Sequence, residues 1–155
     1  MQDMSGWDKI DTSGGAVTCF KRYEENSSIA YFKCELFLDK PPSDAARYTF
    51  DNWIEINREL ASSELEHIER LGAQGNDVIA YFGRAKPQGP VSGREAHIAS
   101  VFLELQDNTF SIISTSVDTG LPPKEGYVIA DLKLSLHTFE PIADDVTRTH
   151  YTNIL

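Results

Sequence analysis

The run "GYVIADLKLSLHTF" alternates: Val128, Ala130, Leu132, Leu134 and Leu136 share one face, and Asp131, Lys133, Ser135 and His137 share the other. A period of two predicts a half-buried strand over Val128–Phe139. Less regular alternation predicts strands near Trp7–Ile10, Val17–Tyr23, Ala30–Leu38, Leu65–Leu71, Asp77–Gly83, Glu95–Leu105, Thr109–Val117 and Val146–Leu155. One stretch breaks the pattern. "PPSDAARYTFDNWIEINRELAS" carries Tyr48, Ile54, Ile56 and Leu60 at a broken helical period, which predicts two short helices with Ser43 as the N-cap. Strands joined by short turns, with helix confined to one insertion, predict an α+β fold with a largely antiparallel sheet.

Two hairpins follow from the same periodicity. "VTCFKRYEENSSIAYFKCELFL" turns through Glu25 to Ser28 and sets Cys19 opposite Cys34, with Val17, Ala30, Phe32 and Leu36 on their face. Two cysteines are too few for a disulfide framework, and the expectation is a pair of buried, reduced thiols. Asn26-Ser27-Ser28 has the form of a glycosylation sequon and reads as turn chemistry. The second hairpin, Arg94–Val117, folds about Asp107-Asn108. One face collects Ala99, Val101, Leu103, Leu105, Phe110 and Ile112. The other collects Ile98, Phe102 and Ile113 with Ser100, Glu104, Ser111 and Thr115, so both faces hold apolar side chains and something must cover the second.

Composition narrows the function. The 155 residues carry a net charge of −10, which argues against nucleic acid and against general adhesion to anionic lipid. The local exception is "GRAKPQGPVSGR", where Arg84, Lys86 and Arg94 have no acid between them; a solvated loop and a headgroup-contacting loop both fit. No apolar run reaches membrane-spanning length and no signal-peptide core opens the sequence, so a soluble, cytoplasmic protein is expected.

Nothing in the spacing asks for catalysis. His137 and His150 are expected on one outer face near Asp131 and Arg148, a poor metal site without a third ligand; no metal and no cofactor are expected. His67 and His97 read as structural or exposed. "GPVSGRE" misses the spacing of a nucleophile elbow, and no phosphate-binding glycine pattern exists.

Three motifs in order resemble the StAR-related lipid-transfer (START) domain. "SGREAHIASVF" is similar to the family's strand entry, with Arg94-Glu95 standing for Arg-Asp. "STSVDTGLPPKEGYVIADL" is similar to its Ser-Val…Pro…Gly-x-Val stretch, with Ile129 where arginine is usual. "DDVTRTHYTNI" resembles the final strand. The resemblance covers nearly the whole chain from Trp7 and implies one START-like domain over 1–155 with the helix-grip fold: a curved antiparallel sheet with short insertion helices. In that family the sheet grips a C-terminal helix over a tunnel holding one lipid. Here the sequence stops at Leu155 in the last strand, so the C-terminal helix is expected to be absent.

The resemblance implies a non-enzymatic lipid-binding module that exchanges its ligand through transient membrane contact. The tunnel wall is expected from Ile79, Tyr81 and Gly83, from Ile98, Ser100 and Phe102, and from Ile113 and Thr115, with Leu132 and Leu134 also lining it. Ordinary burial against protein would explain the apolar residues too, whereas the interspersed hydroxyls favour a wall. Arg84, Lys86, Pro87, Gly89 and Pro90 would form a gate loop. The acid-base pair of sterol-binding members falls on Gly83 and Ser100, so it is missing. A neutral lipid is therefore expected, or one whose charged head stays near Arg84 and Lys86. Without the helix, the groove would take a ligand, a partner or a second copy of the chain. The alternative is a START-like interaction or sensor module that transfers no lipid.

Overall fold

The computed structural model describes residues 6–10, 15–23, 30–143 and 145–155. The order of elements is β1 (Asp8–Ile10), β2 (Val17–Tyr23), β3 (Ala30–Leu38), α1 (Pro42–Asp51), α2 (Trp53–Leu60), β4 (Leu65–Gln74), β5 (Val78–Ala85), β6 (Gly93–Glu104), β7 (Phe110–Ser116), β8 (Tyr127–Ile129), β9 (Ser135–Ile142) and β10 (Asp145–Ile154). The expected α+β class holds, with both helices in the one insertion. The turn at Glu25 to Ser28 and its sequon lie outside the described residues.

The chain divides into two compact units. The first falls within Met1–Ala46, Glu104–Ser111 and Leu136–Leu155; the second comprises Arg47–Leu103 and Ile112–Ser135.

In the first unit the strands run β1-β2-β3-β10-β9, each antiparallel to its neighbour. Phe139 is wholly buried there, its ring 5.0 Å from that of Tyr151. Cys19 stands directly opposite Cys34, as expected, but the two form a disulfide. Their Cα atoms are 4.1 Å apart, so direct cross-strand opposition brings the sulfurs within bonding reach and overturns the reduced-thiol expectation.

The shared outer face expected for His137 and His150 is also wrong. His137 pairs with Asn153 and His150 with Glu140, and this register sends the two rings to opposite sides of the sheet. His150 stacks on Phe37 between Glu35 and Glu140. His137 is buried, with Nδ1 2.7 Å from the Tyr151 hydroxyl, and burial lowers its pKa to about 4.

In the second unit the order is β7-β6-β5-β4, with β8 laid parallel on β6. The single strand expected over Val128–Phe139 is in fact two, β8 and β9, with irregular chain between. The cause is a change of partner: Ala130 N–H donates to the Glu95 carbonyl, and Leu132 N–H to the Ser116 hydroxyl. Alternation alone cannot see such a crossover, because it reports which faces are apolar and not which strand lies alongside.

Helix α1 starts at Pro42, a residue suited to the first helical position because its missing N–H has no helical partner to lose. Ser43 therefore sits inside the first turn and is not the cap. The buried stripe consists of Ala45, Ala46 and Phe50, whereas Tyr48 and Leu60 face solvent.

Candidate functional site

Antiparallel register builds one face of the second unit row by row. Ile79 stands opposite Ser100, Tyr81 opposite Ile98, and Gly83 opposite Ala96. On the other side of β5, Arg70 meets Tyr81 and Ile68 meets Gly83. Directly opposed residues share a face, so these rows form a continuous surface.

The helical segment covers part of it. The Phe50 ring lies 5.6 Å from Phe102, and the Trp53 ring 6.5 Å from Tyr81. Arg47 fixes this cover: its guanidinium lies 3.7 Å from the centre of the Phe102 ring and bonds the Asn76 carbonyl at 2.8 Å and Asp77 at 2.9 Å. Ile79, Tyr81, Ser100 and Phe102 are all buried.

A polar cluster sits within this apolar surface. Ser100 Oγ is 2.7 Å from Ser114 Oγ, and the Tyr81 hydroxyl interacts with Trp53, Ser100 and Ser114. Burial raises the phenol pKa, so Tyr81 is neutral at any physiological pH and presents an O–H rather than a charge. The arrangement can orient an uncharged polar group, and it contains no acid-base pair.

Ile113 and Thr115 are not on this face. Ser114 is, and alternation along β7 turns its two neighbours the other way. The cause lies at the turn. Asp107 and Asn108 both adopt positive φ as expected, but Leu105 N–H donates to the Thr109 carbonyl, one residue out of the register implied by a two-residue loop. Val117 N–H to the His97 carbonyl keeps the same shifted register. A slip of one residue exchanges the two faces of a strand. Thr115 instead donates to the Lys133 carbonyl. Leu132 and Leu134 lie in the irregular segment between β8 and β9, Leu132 half-buried and Leu134 exposed.

The expected gate loop keeps only part of its membership. Arg84 belongs to β5, on the opposite face from Gly83, where it stands across from Glu95 and bonds it at 2.6 Å, with Glu66 at 3.7 Å. Burial pushes the Glu95 carboxyl pKa up, yet the Arg84 guanidinium and the Lys124 N–H hold it below its ordinary value. Arg84 is thus committed to two carboxylates and does not wait for a headgroup. Lys86, Pro87, Gly89 and Pro90 form an exposed turn closed by paired bonds between Gln88 and Val91, and Lys86 N–H donates to the Glu64 carbonyl.

A cavity of about 760 Å³ opens beside the covered face, lined by Phe50, Trp53, Ile54, Arg70, Asp77 and Ile79 among others. Of the expected wall, Ile79 reaches it. Phe50 and Trp53 were missed as site residues, although their spacing of three followed by Ile54 is a readable helical stripe. Ser114 was missed because the register was.

No protein-family model matches the sequence, and no curated protein matches it. Solved structures do match. A STAR-related lipid transfer protein from Xanthomonas axonopodis superposes with a TM-score of 0.75 at 18% identity, over 97% of this chain and 81% of that one. Human StAR-related lipid transfer protein 5 gives a TM-score of 0.72 at 16% identity, over 99% of this chain and 73% of that one. The lipid transfer and protein localization domain of human StarD13 gives 0.70 at 16% identity, over 96% of this chain and 73% of that one. The fold is therefore the START-like helix-grip fold.

Proposed function

We propose that the protein is a non-enzymatic module, a single START-like domain over 1–155, that binds one lipid against the face carrying Ile79, Tyr81, Ser100 and Phe102 and passes it between membranes. The observation that carries the reading is the hydroxyl cluster of Tyr81, Ser100 and Ser114, buried on a face that also carries Ile79, Ile98 and Phe102. Buried hydroxyls on a greasy wall orient a ligand's uncharged polar group, since Arg47 and Asp77, the ionic groups at the cover of this face, are already paired with each other. The fold supports it, being shared with lipid-transfer proteins. The exposed turn at Lys86–Pro90 is the proposed point of membrane contact.

Native mass spectrometry of the purified protein tests this. A bound lipid of defined mass supports the reading, and protein that stays empty after incubation with vesicles favours an interaction or sensor module. No helix among the described residues is long and apolar enough to cross a membrane. The proposed compartment is the cytoplasm, and the Cys19–Cys34 bond tests it, since disulfides persist in oxidising compartments and are rare in the cytosol. A thiol count on protein trapped directly from cells decides between that and an oxidising compartment.

A further inference from the structure

Gly83 lies on the same face as Tyr81, two residues along β5, opposite Ala96 on one side and Ile68 on the other. Its φ is outside the left-handed region, so the backbone there accepts any L-residue. A Cβ built on Gly83 would meet nothing within 4 Å. At Gly93, by contrast, a Cβ would come within 2.2 Å of the Tyr127 ring, so glycine there is demanded by packing. Glycine weakens a strand interior by loss of chain entropy and of side-chain contacts, and it persists where something approaches the backbone. Among the described residues no protein atom lies within 4 Å of that Cβ position.

The surroundings say what can. One row along, the large Tyr81 side chain rises under Trp53; at Gly83 and Ala96 the surface drops to backbone and a methyl group. The resulting notch is bordered by Ile68 and Tyr81. The two charged residues nearest in sequence, Arg84 and Glu95, point to the other face and pair with each other.

We infer that Gly83 is the size-determining position of the lipid site: an uncharged hydrocarbon segment of the ligand lies over Gly83 and Ala96, one row from Tyr81. This rests on the lipid-binding reading above. A Cβ at 83 has open space, so a larger residue there is expected to occupy the notch and exclude the ligand selectively.

The test loads wild type, Gly83→Ala, Gly83→Leu and Gly83→Phe from phosphatidylcholine vesicles carrying diacylglycerols of graded chain length. Occupancy is read by native mass spectrometry, and folding by circular dichroism and thermal midpoint. Gly83→Ala, which adds a single methyl group, is expected to lose the least long-chain occupancy of the three variants. Gly83→Leu and Gly83→Phe keep a midpoint at or above wild type, and lose long-chain occupancy by about tenfold or shift to shorter chains. Wild type that loads while Gly83→Leu loads the same chains equally well overturns the inference alone. A Gly83→Leu protein that fails to fold overturns it as well, since the space would then be needed by the protein. Wild type that takes up no diacylglycerol overturns this inference whatever other lipid it binds, and an empty wild type after incubation with every vesicle lipid overturns the lipid-binding reading too.

Discussion

Ser100 and Ser114 face each other across β6 and β7 with their hydroxyl oxygens 2.7 Å apart, both almost wholly buried. Removing one hydroxyl takes a partner from the other in a place water does not reach, leaving it the Tyr81 hydroxyl. Ser100→Ala and Ser114→Ala should each cost about 1–2 kcal/mol, and the double variant less than their sum, by about 1 kcal/mol of coupling. Urea unfolding of the four proteins measures this. Strict additivity would mean that the two hydroxyls do not depend on each other.

His137 makes stability depend on pH. Burial lowers its folded-state pKa to about 4 from the ordinary 6.5, so between those values the unfolded chain binds a proton that the folded protein refuses. The contribution of neutral His137 is complete above about pH 6.5 and is lost progressively as pH falls toward 4. The full loss is on the order of 3 kcal/mol. His137→Gln, which keeps a polar partner for Tyr151, should show a shallower slope over that window in unfolding titrations. An unchanged slope would assign the acid sensitivity to other groups.

At Gly93 the Tyr127 ring packs on bare backbone, and the Ala85 carbonyl is 3.0 Å from where a Cβ would stand. Gly93→Ala should therefore destabilise by about 1–3 kcal/mol through overpacking. In a Tyr127→Ala background the penalty should shrink, because the ring that clashes is gone. Thermal denaturation of the two single variants and the double variant checks the cycle.

The Cys19–Cys34 bond joins positions 15 residues apart, and closing a loop of that size stabilises by roughly 3 kcal/mol. Reduction should add two hydrogens in mass and lower the urea midpoint, while Cys19→Ser should match the reduced protein and no longer respond to reductant. Oxidised and reduced protein of equal stability would show that the β2–β3 pairing holds without the bond.

Much of this architecture could be read in the chain because it depends on local period. Alternation placed β2 against β3 with Cys19 opposite Cys34, put both helices between Pro41 and Ser62, and aligned Ile79, Tyr81 and Gly83 on one side of β5 with Ile98, Ser100 and Phe102 on β6. These outcomes need only a strand's twofold repeat and a burial preference. What the chain could not express is anything decided by the neighbour. One hydrogen bond at the Leu105–Thr109 neck selected Ser114 over Ile113 and Thr115, since both registers offer an apolar face. A parallel partner split the best-looking strand into β8 and β9. Glu95, which directly follows "GRAKPQGPVSGR", and Glu66 on β4 claimed Arg84 across the sheet. Periodicity sets which residues can share a face; the turn register, the crossover partner and the carboxylates that claim Arg84 are settled only when the strands pair, because that energy depends on which strand lies alongside.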